Sequence, residues 1–267
     1  MGTSRDTVLI TGASSGIGAI YADRFAARGH DLILVARNHA RLTAIADRLG
    51  VQHGVRVHTL AADLADSAGL AEVEARLQSD DSITHLVNNA GFGSAAPLAA
   101  SPVDEMARMV ALNVTAPMRL AYAAVPRFTA RGKGTVINIA SIVAIAPELL
   151  NGVYGATKSF VLAFSHSLRK ELDGTGVKVQ VVLPGATATG FWDVAGLPLS
   201  KLPEDWVMSA AELVDAALLG LDRGEYATIP SLHDLDAWDA WESARQAMLP
   251  HLSSAAPAER YRPRTGC

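Results

Sequence analysis

The chain has 267 residues, of which 49% are hydrophobic and 19% are charged, and its formal net charge is −4. This length and apolar content suit one large α/β domain, or at most two small ones. The mild acidity and the lack of a basic block argue against a nucleic-acid partner. The one cysteine is Cys267, so no disulfide can form within the chain, and we expect a reducing, cytoplasmic setting. We expect no signal peptide, because no charged segment followed by an apolar core begins the chain, and no membrane partner, because no apolar run is long enough to span a bilayer.

A glycine-rich turn follows the first predicted strand. Residues 7–10 are apolar and predict a buried strand, and a helical pattern follows the turn. The spacing Gly-x-x-x-Gly-x-Gly allows a tight bend and a close approach of the backbone to a pyrophosphate, whose charge the helix N-terminus stabilises. Three glycines alone are common in loops, but the strand–turn–helix context favours dinucleotide binding. The candidate cofactor-binding residues of this turn are Gly12, Ser14, Ser15, Gly16, Ile17 and Gly18.

Arg37 directly follows the second predicted strand, residues 31–36. A side chain at this position faces the ribose of the adenosine. An acid there would accept a hydrogen bond from the 2′-hydroxyl and favour NAD, whereas an arginine can bind a 2′-phosphate through two parallel hydrogen bonds. We therefore predict NADP rather than NAD. The alternative is a solvated arginine that opens a loop.

Asp63 and Leu64 follow the third predicted strand, residues 55–60. The carboxylate of Asp63 could accept a hydrogen bond from the adenine amino group of the cofactor. It could equally cap the helix that we predict to begin near Ser67. Both alternatives remain open from the sequence.

The fourth predicted strand, residues 83–87, ends in Asn88-Asn89-Ala90-Gly91. Small residues at this point let the backbone lie against the cofactor, so Asn89, Ala90 and Gly91 are candidate contacts. The two asparagines could instead tie adjacent strands together through side-chain hydrogen bonds, and for Asn88 this is at least as good an interpretation.

Asn113 lies on an apolar face of a long helix that we predict over residues 102–131. A buried amide among apolar neighbours must be hydrogen-bonded. It is therefore either a satisfied core asparagine or a member of a proton-relay network.

Tyr154 and Lys158 are four residues apart in a helix predicted over residues 152–172, so they share one face. A nearby ammonium favours the phenolate, and we expect it to lower the tyrosine pKa from its usual value of about 10 toward neutrality. Such a tyrosine can exchange a proton with a carbonyl or an alcohol. Ser141 follows the fifth predicted strand, residues 135–140, and points into the ligand crevice of an open α/β sheet. The alternative for the Tyr–Lys pair is an ordinary surface contact.

Strands and helices alternate along the chain, which predicts an α/β fold with a doubly wound parallel sheet and helices on both faces. Residues 177–183 form the sixth predicted strand, and we find no repeat or linker that would divide the chain. We therefore expect a single domain over residues 1–267. After this strand come the candidate cofactor-binding residues Pro184, Gly185, Thr187 and Thr189.

Taken together, the motifs resemble those of the classical short-chain dehydrogenase/reductase family over residues 7–230. The resemblance implies a seven-stranded Rossmann sheet with residues 226–229 as the last strand, and an NADP-preferring enzyme that is a dimer or tetramer. It also implies hydride transfer between the nicotinamide and a carbonyl or secondary alcohol. The matching motifs are Thr11-Gly12-Ala13-Ser14-Ser15-Gly16-Ile17-Gly18, Asn88-Asn89-Ala90-Gly91, Asn113, Ser141, Tyr154-x-x-x-Lys158 and Pro184-Gly185.

The resemblance also implies a role for each candidate catalytic residue. Tyr154 would be the general acid for reduction and the general base for oxidation. Lys158 would hold the nicotinamide ribose, and Ser141 would donate to the substrate oxygen. Asn113 would order a water linked to Lys158, and Thr189 would lie near the nicotinamide amide.

Residues 190–210 resemble the mobile substrate lid of this family, and residues 231–267 form a C-terminal extension. The apolar content of the lid suggests a hydrophobic ketone or aldehyde, although these side chains could merely pack the lid onto the body. One alternative is a 3-oxoacyl-thioester reductase, for which the lid offers little basic charge except Lys201. Another is a non-catalytic NADP-sensing module, which the presence of both Tyr154 and Lys158 disfavours.

Overall fold

The computed structural model describes residues 5–262 and contains an open sheet covered by helices. Within these residues, the main sheet has seven strands in the order β3-β2-β1-β4-β5-β6-β9, and all neighbours are parallel. The strands are β1 (Thr7–Thr11), β2 (Asp31–Ala36), β3 (Val57–Ala61), β4 (Ile83–Asn88), β5 (Gly134–Ile139), β6 (Val177–Val182) and β9 (Ala227–Thr228). The predicted doubly wound seven-stranded sheet is confirmed.

Helices cover both faces of the sheet because successive strand residues point to opposite sides. On β1, Val8 and Ile10 pack in the same cluster as Phe25 of α1. The residue between them, Leu9, packs on the other face in the cluster that contains Phe128 of α5. The helices are α1 (Gly16–Ala27), α2 (His39–His53), α3 (Ser67–Ser79), α4 (Val103–Val110), α5 (Ala116–Arg131), α6 (Gly152–Glu171), α7 (Phe191–Ala195), α8 (Ala210–Arg223) and α9 (Leu235–Met248).

The strand order reverses between β1 and β4. From β1 the chain continues outward through β2 and β3, and from β4 it continues outward in the other direction through β5 and β6. The loops at the carboxyl ends of β1 and β4 therefore leave on opposite faces and open a crevice between them. In open α/β sheets this reversal is where ligands bind.

The predicted helix over residues 102–131 is interrupted. A π-helical turn, Ala111–Thr115, separates α4 from α5. Asn113 lies at the centre of that turn and is buried. Such turns are rare and frequently occur at functional sites. The helical periodicity of the sequence could not indicate the extra residue in this turn.

The lid begins and ends at a second, two-stranded sheet. Strands β7 (Thr187–Ala188) and β8 (Met208–Ser209) pair in parallel, and the chain between them contains α7. A capping box formed by Ser209 and Glu212 then starts α8. The short β7/β8 ladder fixes both ends of the lid.

A second compact unit begins at Leu232, one residue after the predicted start of the C-terminal extension at residue 231. It contains α9, on which the rings of Trp238 and Trp241 stack at a centroid distance of 4.9 Å. Cys267, the last residue of the extension, lies outside the described residues. That the fold and the extension form one domain stays a prediction. No helix in the described part of the chain combines the length and the apolar character that a membrane crossing needs.

Candidate active site

The structure brings Ser141, Tyr154 and Lys158 together at the carboxyl end of β5. All three side chains are buried, with exposed fractions of 8%, 6% and 7%. The Nζ of Lys158 lies 5.9 Å from the centre of the Tyr154 ring and donates a hydrogen bond of 2.9 Å to the carbonyl of Ile139. Tyr154 and Lys158 therefore lie on the buried face of α6, and the alternative of an ordinary surface contact is wrong.

The pKa of Tyr154 differs from the expectation. Burial raises the pKa of Tyr154 to about 12, while a hydrogen bond with Ser141 acts in the opposite direction. Burial also lowers the pKa of Lys158 to about 8. The predicted fall in the tyrosine pKa is therefore wrong for the chain by itself, because removal from water disfavours the charged forms of both groups. The chain holds Tyr154 as the neutral phenol, which is the form that can donate a proton.

Asn113 is fully hydrogen-bonded. Its Oδ1 accepts from the backbone N–H of Phe92 at 3.1 Å, and its Nδ2 donates to the carbonyl of Phe92 at 2.8 Å and to Oγ1 of Thr157 at 3.1 Å. The π turn thus connects the loop after β4 to α6, next to Tyr154. These bonds confirm the satisfied core asparagine, while a role in proton relay stays a prediction.

Asn151 is a site residue that the sequence analysis missed. It caps α6, and its Oδ1 accepts from the N–H groups of Val153 and Tyr154 at 2.9 and 3.3 Å. Its Nδ2 donates to the carbonyl of Ala96 at 2.6 Å and to Ser101 at 3.2 Å. One buried side chain therefore holds both the backbone of Tyr154 and the loop after β4. An asparagine placed directly before a predicted helix was the signal available.

The glycine turn is shaped by Asn89. A Cβ atom on Gly12 would lie 2.8 Å from Nδ2 of Asn89, and one on Gly18 would lie 2.5 Å from the same atom. That amide also donates a hydrogen bond of 2.9 Å to the carbonyl of Thr11. Gly12 and Gly16 have φ angles of 66° and 53°, which L side chains adopt only with strain. Asn89 thus ties the loop after β4 to this turn. This agrees with the alternative that the two asparagines join adjacent strands through side-chain hydrogen bonds.

A second asparagine bond joins the carboxyl ends of β4 and β5. Nδ2 of Asn88 donates to Oδ1 of Asn138 at 2.9 Å, and Nδ2 of Asn138 donates to Ser165 on α6 at 2.9 Å. Both asparagines are buried. The structural interpretation of Asn88 is therefore confirmed.

The turn and the start of α1 fit a dinucleotide. Ser15 precedes α1 without capping it through its side chain, and the first turn of α1 carries no acid. Its N–H groups and helix dipole therefore suit a pyrophosphate. A Cβ on Gly91 would lie 3.7 Å from Nζ of Lys158, so the glycine leaves room beside that ammonium. Thr189 lies over the turn, since a Cβ on Gly16 would be 3.2 Å from its methyl group. These residues line one continuous cradle.

At the adenosine end, Arg37 is exposed and makes no hydrogen bond or ion pair within residues 5–262. The helix-cap alternative for Asp63 is wrong, because Asp66 caps α3. Asp63 instead accepts from the N–H of Ala65 at 3.0 Å and pairs with Arg108.

Leu64 is buried with the apolar core between the sheet and α3, so only its backbone can face a cofactor.

Asn38, a further polar residue after β2, caps α2 by accepting from the N–H of Arg41 at 3.0 Å. Contacts after β5 and β6 join four further candidates, whose roles stay predictions. Oγ of Ser141 is 3.4 Å from the carbonyl of Pro184, and Oγ1 of Thr187 donates to the carbonyl of Gly185 at 3.0 Å.

The lid residues divide into two groups. The Phe191 ring lies 5.5 Å from the Tyr154 ring, and Trp192 is buried with its Nε1 donating to the carbonyl of Thr187 at 2.9 Å. Trp206, in contrast, is 66% exposed. Packing onto the body therefore explains Trp192, whereas Phe191 borders the site. Within residues 5–262, no cluster of three or more His, Cys, Asp and Glu side chains is placed to hold a metal ion.

Comparison with known proteins agrees with this geometry. Residues 6–196 match the family described as short chain dehydrogenase. A short-chain dehydrogenase from Sphingobium yanoikuyae, solved in complex with NADPH, is 51% identical, with a TM-score of 0.94 over 96% of this chain and 100% of that chain. The bulky-bulky ketone specific alcohol dehydrogenase from Comamonas testosteroni is 48% identical, with a TM-score of 0.90 over 98% and 100%. Sulfoacetaldehyde reductase 2 from Chromohalobacter salexigens is 39% identical over 190 residues, 70% of this chain and 74% of the relative.

The open parallel sheet, its glycine turn and the buried Tyr–Lys pair define a dinucleotide-dependent oxidoreductase. The chain belongs to the short-chain dehydrogenase/reductase family. It is an enzyme that transfers a hydride between a nicotinamide cofactor and a carbonyl or secondary alcohol.

Proposed function

We propose that the chain is an NADPH-dependent reductase of apolar, bulky ketones and aldehydes. The observation that carries this is the buried group of Ser141, Tyr154 and Lys158 beneath the aromatic ring of Phe191. Apolar side chains line that group, because Tyr154 packs in one cluster with Met109 and Val143. A polar substrate would have to be desolvated there without compensating hydrogen bonds.

Three side chains would carry the reaction. Tyr154 donates its phenolic proton to the carbonyl oxygen, and Ser141 donates a second hydrogen bond to the oxygen as charge develops on it. NADPH supplies the hydride that the carbonyl carbon accepts, so the product is an alcohol. Lys158 holds the ribose hydroxyls of the cofactor and stabilises the tyrosinate left behind. In the oxidation of an alcohol each transfer runs in reverse.

Arg37 would select NADPH over NADH. Its guanidinium is exposed after β2 and makes no hydrogen bond or ion pair within the described range, so it can bind the 2′-phosphate through two parallel hydrogen bonds. Ser14, in the glycine turn after β1, adds a hydroxyl that can donate to a phosphate of the cofactor. Support comes from the relative solved with NADPH and from an NADP-dependent 3-hydroxy acid dehydrogenase of Salmonella typhi, 37% identical over 180 residues.

The alternatives fit less well. A 3-oxoacyl-thioester substrate carries phosphates, and Lys201 is the one basic side chain in the lid over residues 190–210. A sensing module has no use for an acid–base pair, yet Tyr154 and Lys158 are buried and aligned with Ser141. Assembly into a homodimer or homotetramer and a cytoplasmic location stay predictions.

The test is a screen of NADPH oxidation, followed at 340 nm, across aryl ketones, aldehydes and 3-oxoacyl thioesters, repeated with NADH. We expect the highest kcat/KM with an aryl ketone and NADPH. Tyr154→Phe should keep the Kd for NADPH and lose about 10²-fold or more in kcat. Turnover retained by Tyr154→Phe would refute the role of Tyr154, and a preference for thioesters would refute the substrate class.

A further inference from the structure

The ring of Phe191 in the lid packs against Tyr154. Tyr154 is 6% exposed, and the ring of Phe191 lies 5.5 Å away at an interplanar angle of 45°. Phe191 is the first residue of α7 in the lid, and it packs on the cluster that contains Tyr154. A ketone that reaches the phenolic hydroxyl must therefore pass beside this ring.

Gly93 lies directly against the rings of Phe191 and Tyr154. It is buried in the loop after β4, and a Cβ atom there would lie 2.5 Å from Cζ of Phe191 and 3.1 Å from Cδ2 of Tyr154. A distance of 2.5 Å is far inside van der Waals contact. Any side chain at position 93 would therefore have to displace Phe191 from its present position against Tyr154.

The helix α7, which carries Phe191, is held by hydrogen bonds near both of its ends. The neighbouring Trp192 donates to the carbonyl of Thr187 at 2.9 Å. At the other end of α7, the carbonyl of Ala195 accepts from the N–H of Ala95 at 2.9 Å. Ala95 belongs to the same loop as Gly93, so this hydrogen bond ties the backbone of the loop to the end of α7. The helix ends at Gly196, whose φ of 76° suits glycine.

We propose that Phe191 and Gly93 together form a slot that decides how large the carbonyl substituent on the lid side of Tyr154 can be. This inference rests on the proposed function, which supplies the ketone. The ring of Phe191 limits the size of the substituent, and the lack of a side chain at Gly93 lets that ring take its position. The slot acts on substrate size alone and leaves proton transfer to Tyr154.

The test is a double-mutant cycle with Gly93→Ala, Phe191→Ala and the double variant, assayed with NADPH on acetophenone and on benzophenone. Gly190→Ala is the matched control, because this glycine precedes Phe191, has a φ of −66° and has no atom within 4 Å of its added Cβ. The melting temperature and the Kd for NADPH are measured for every protein.

We expect Gly93→Ala to lower kcat/KM for benzophenone by about tenfold or more, with a smaller loss for acetophenone. Phe191→Ala should raise the benzophenone-to-acetophenone ratio by about tenfold, and in that background the methyl group at position 93 should cost less than about threefold. Gly190→Ala should behave as the wild type. Equal losses from Gly93→Ala in both backgrounds, or an unchanged ratio in Phe191→Ala, would overturn the slot. A wild-type protein that reduces neither ketone nor any other carbonyl would overturn the proposed function instead.

Discussion

Asn151→Ala is the substitution whose effect on this enzyme can be worked out most fully. The change removes the acceptor for the N–H groups of Val153 and Tyr154, which caps α6, and the two donor bonds to Ala96 and Ser101. Loss of a cap costs about 1 kcal/mol, and loss of a buried hydrogen bond costs about 1 kcal/mol more. The hydroxyl of Ser101 also donates to the carbonyl of Ala96 at 3.3 Å, so that carbonyl keeps a partner.

The free energy of unfolding of Asn151→Ala should therefore fall by about 2 kcal/mol, measured by urea denaturation. Activity should fall as well, because Tyr154 is the third residue of α6 and lies in the turn that loses its cap. We expect kcat for a ketone to drop by about tenfold or more, since small displacements of a catalytic group are costly. The Kd for NADPH should change less than about threefold, because most of its cradle lies outside α6.

Asp66→Ala provides the matched control. Asp66 caps α3 through two backbone N–H groups, as Asn151 does for α6, but it lies far along the chain from Tyr154 and is exposed. It should lose about 1 kcal/mol of stability and keep its kcat. If Asn151→Ala lost no more stability than Asp66→Ala and kept full turnover, the argument that Asn151 positions Tyr154 would be refuted.

Three further changes test other parts of the molecule. Arg37→Asp should shift the NADPH-to-NADH ratio of kcat/KM by about 10²-fold toward NADH, and an unchanged ratio would show that Arg37 does not bind the 2′-phosphate. Burial, with a smaller effect of His30, lowers the pKa of His85 to about 4, so the stability it contributes is full above about pH 6.5 and is lost as the pH falls toward 4. Urea denaturation at pH 7 and pH 4.5 measures how far the free energy of unfolding falls on acidification. In His85→Gln this fall should be smaller than in the wild type by up to about 3 kcal/mol, and the same fall in both proteins would contradict the assignment. Trp206 lies on an exposed part of the lid, so Trp206→Ala should change the free energy of unfolding by less than about 0.5 kcal/mol. It should lower kcat/KM more for large apolar ketones than for small ones, and equal losses for both would count against a gating role.

The sequence determined the sheet and the identity of most of the site. Apolar runs of strand length, separated by helical periodicity, indicated six strands, and the family resemblance supplied the seventh. Parallel connection then brought the ends of those strands to one edge. The spacing of Tyr154 and Lys158 placed both on one helix face, because that face is a local property of the α-helix. The same holds for the position of Ser141 after β5. These are short-range consequences of backbone geometry.

The tertiary structure decided how far those residues are buried and which groups surround them. The nearby Lys158 predicted an acidic tyrosine, yet burial raises the pKa of Tyr154, and part of that burial comes from Phe191, which is distant in the sequence. The contacts of Asn113 and Asn151 likewise join segments that are far apart along the chain. Spacing within one segment reports which residues share a face, but the solvation of a group and the partners of a buried amide are set by segments that meet only after folding.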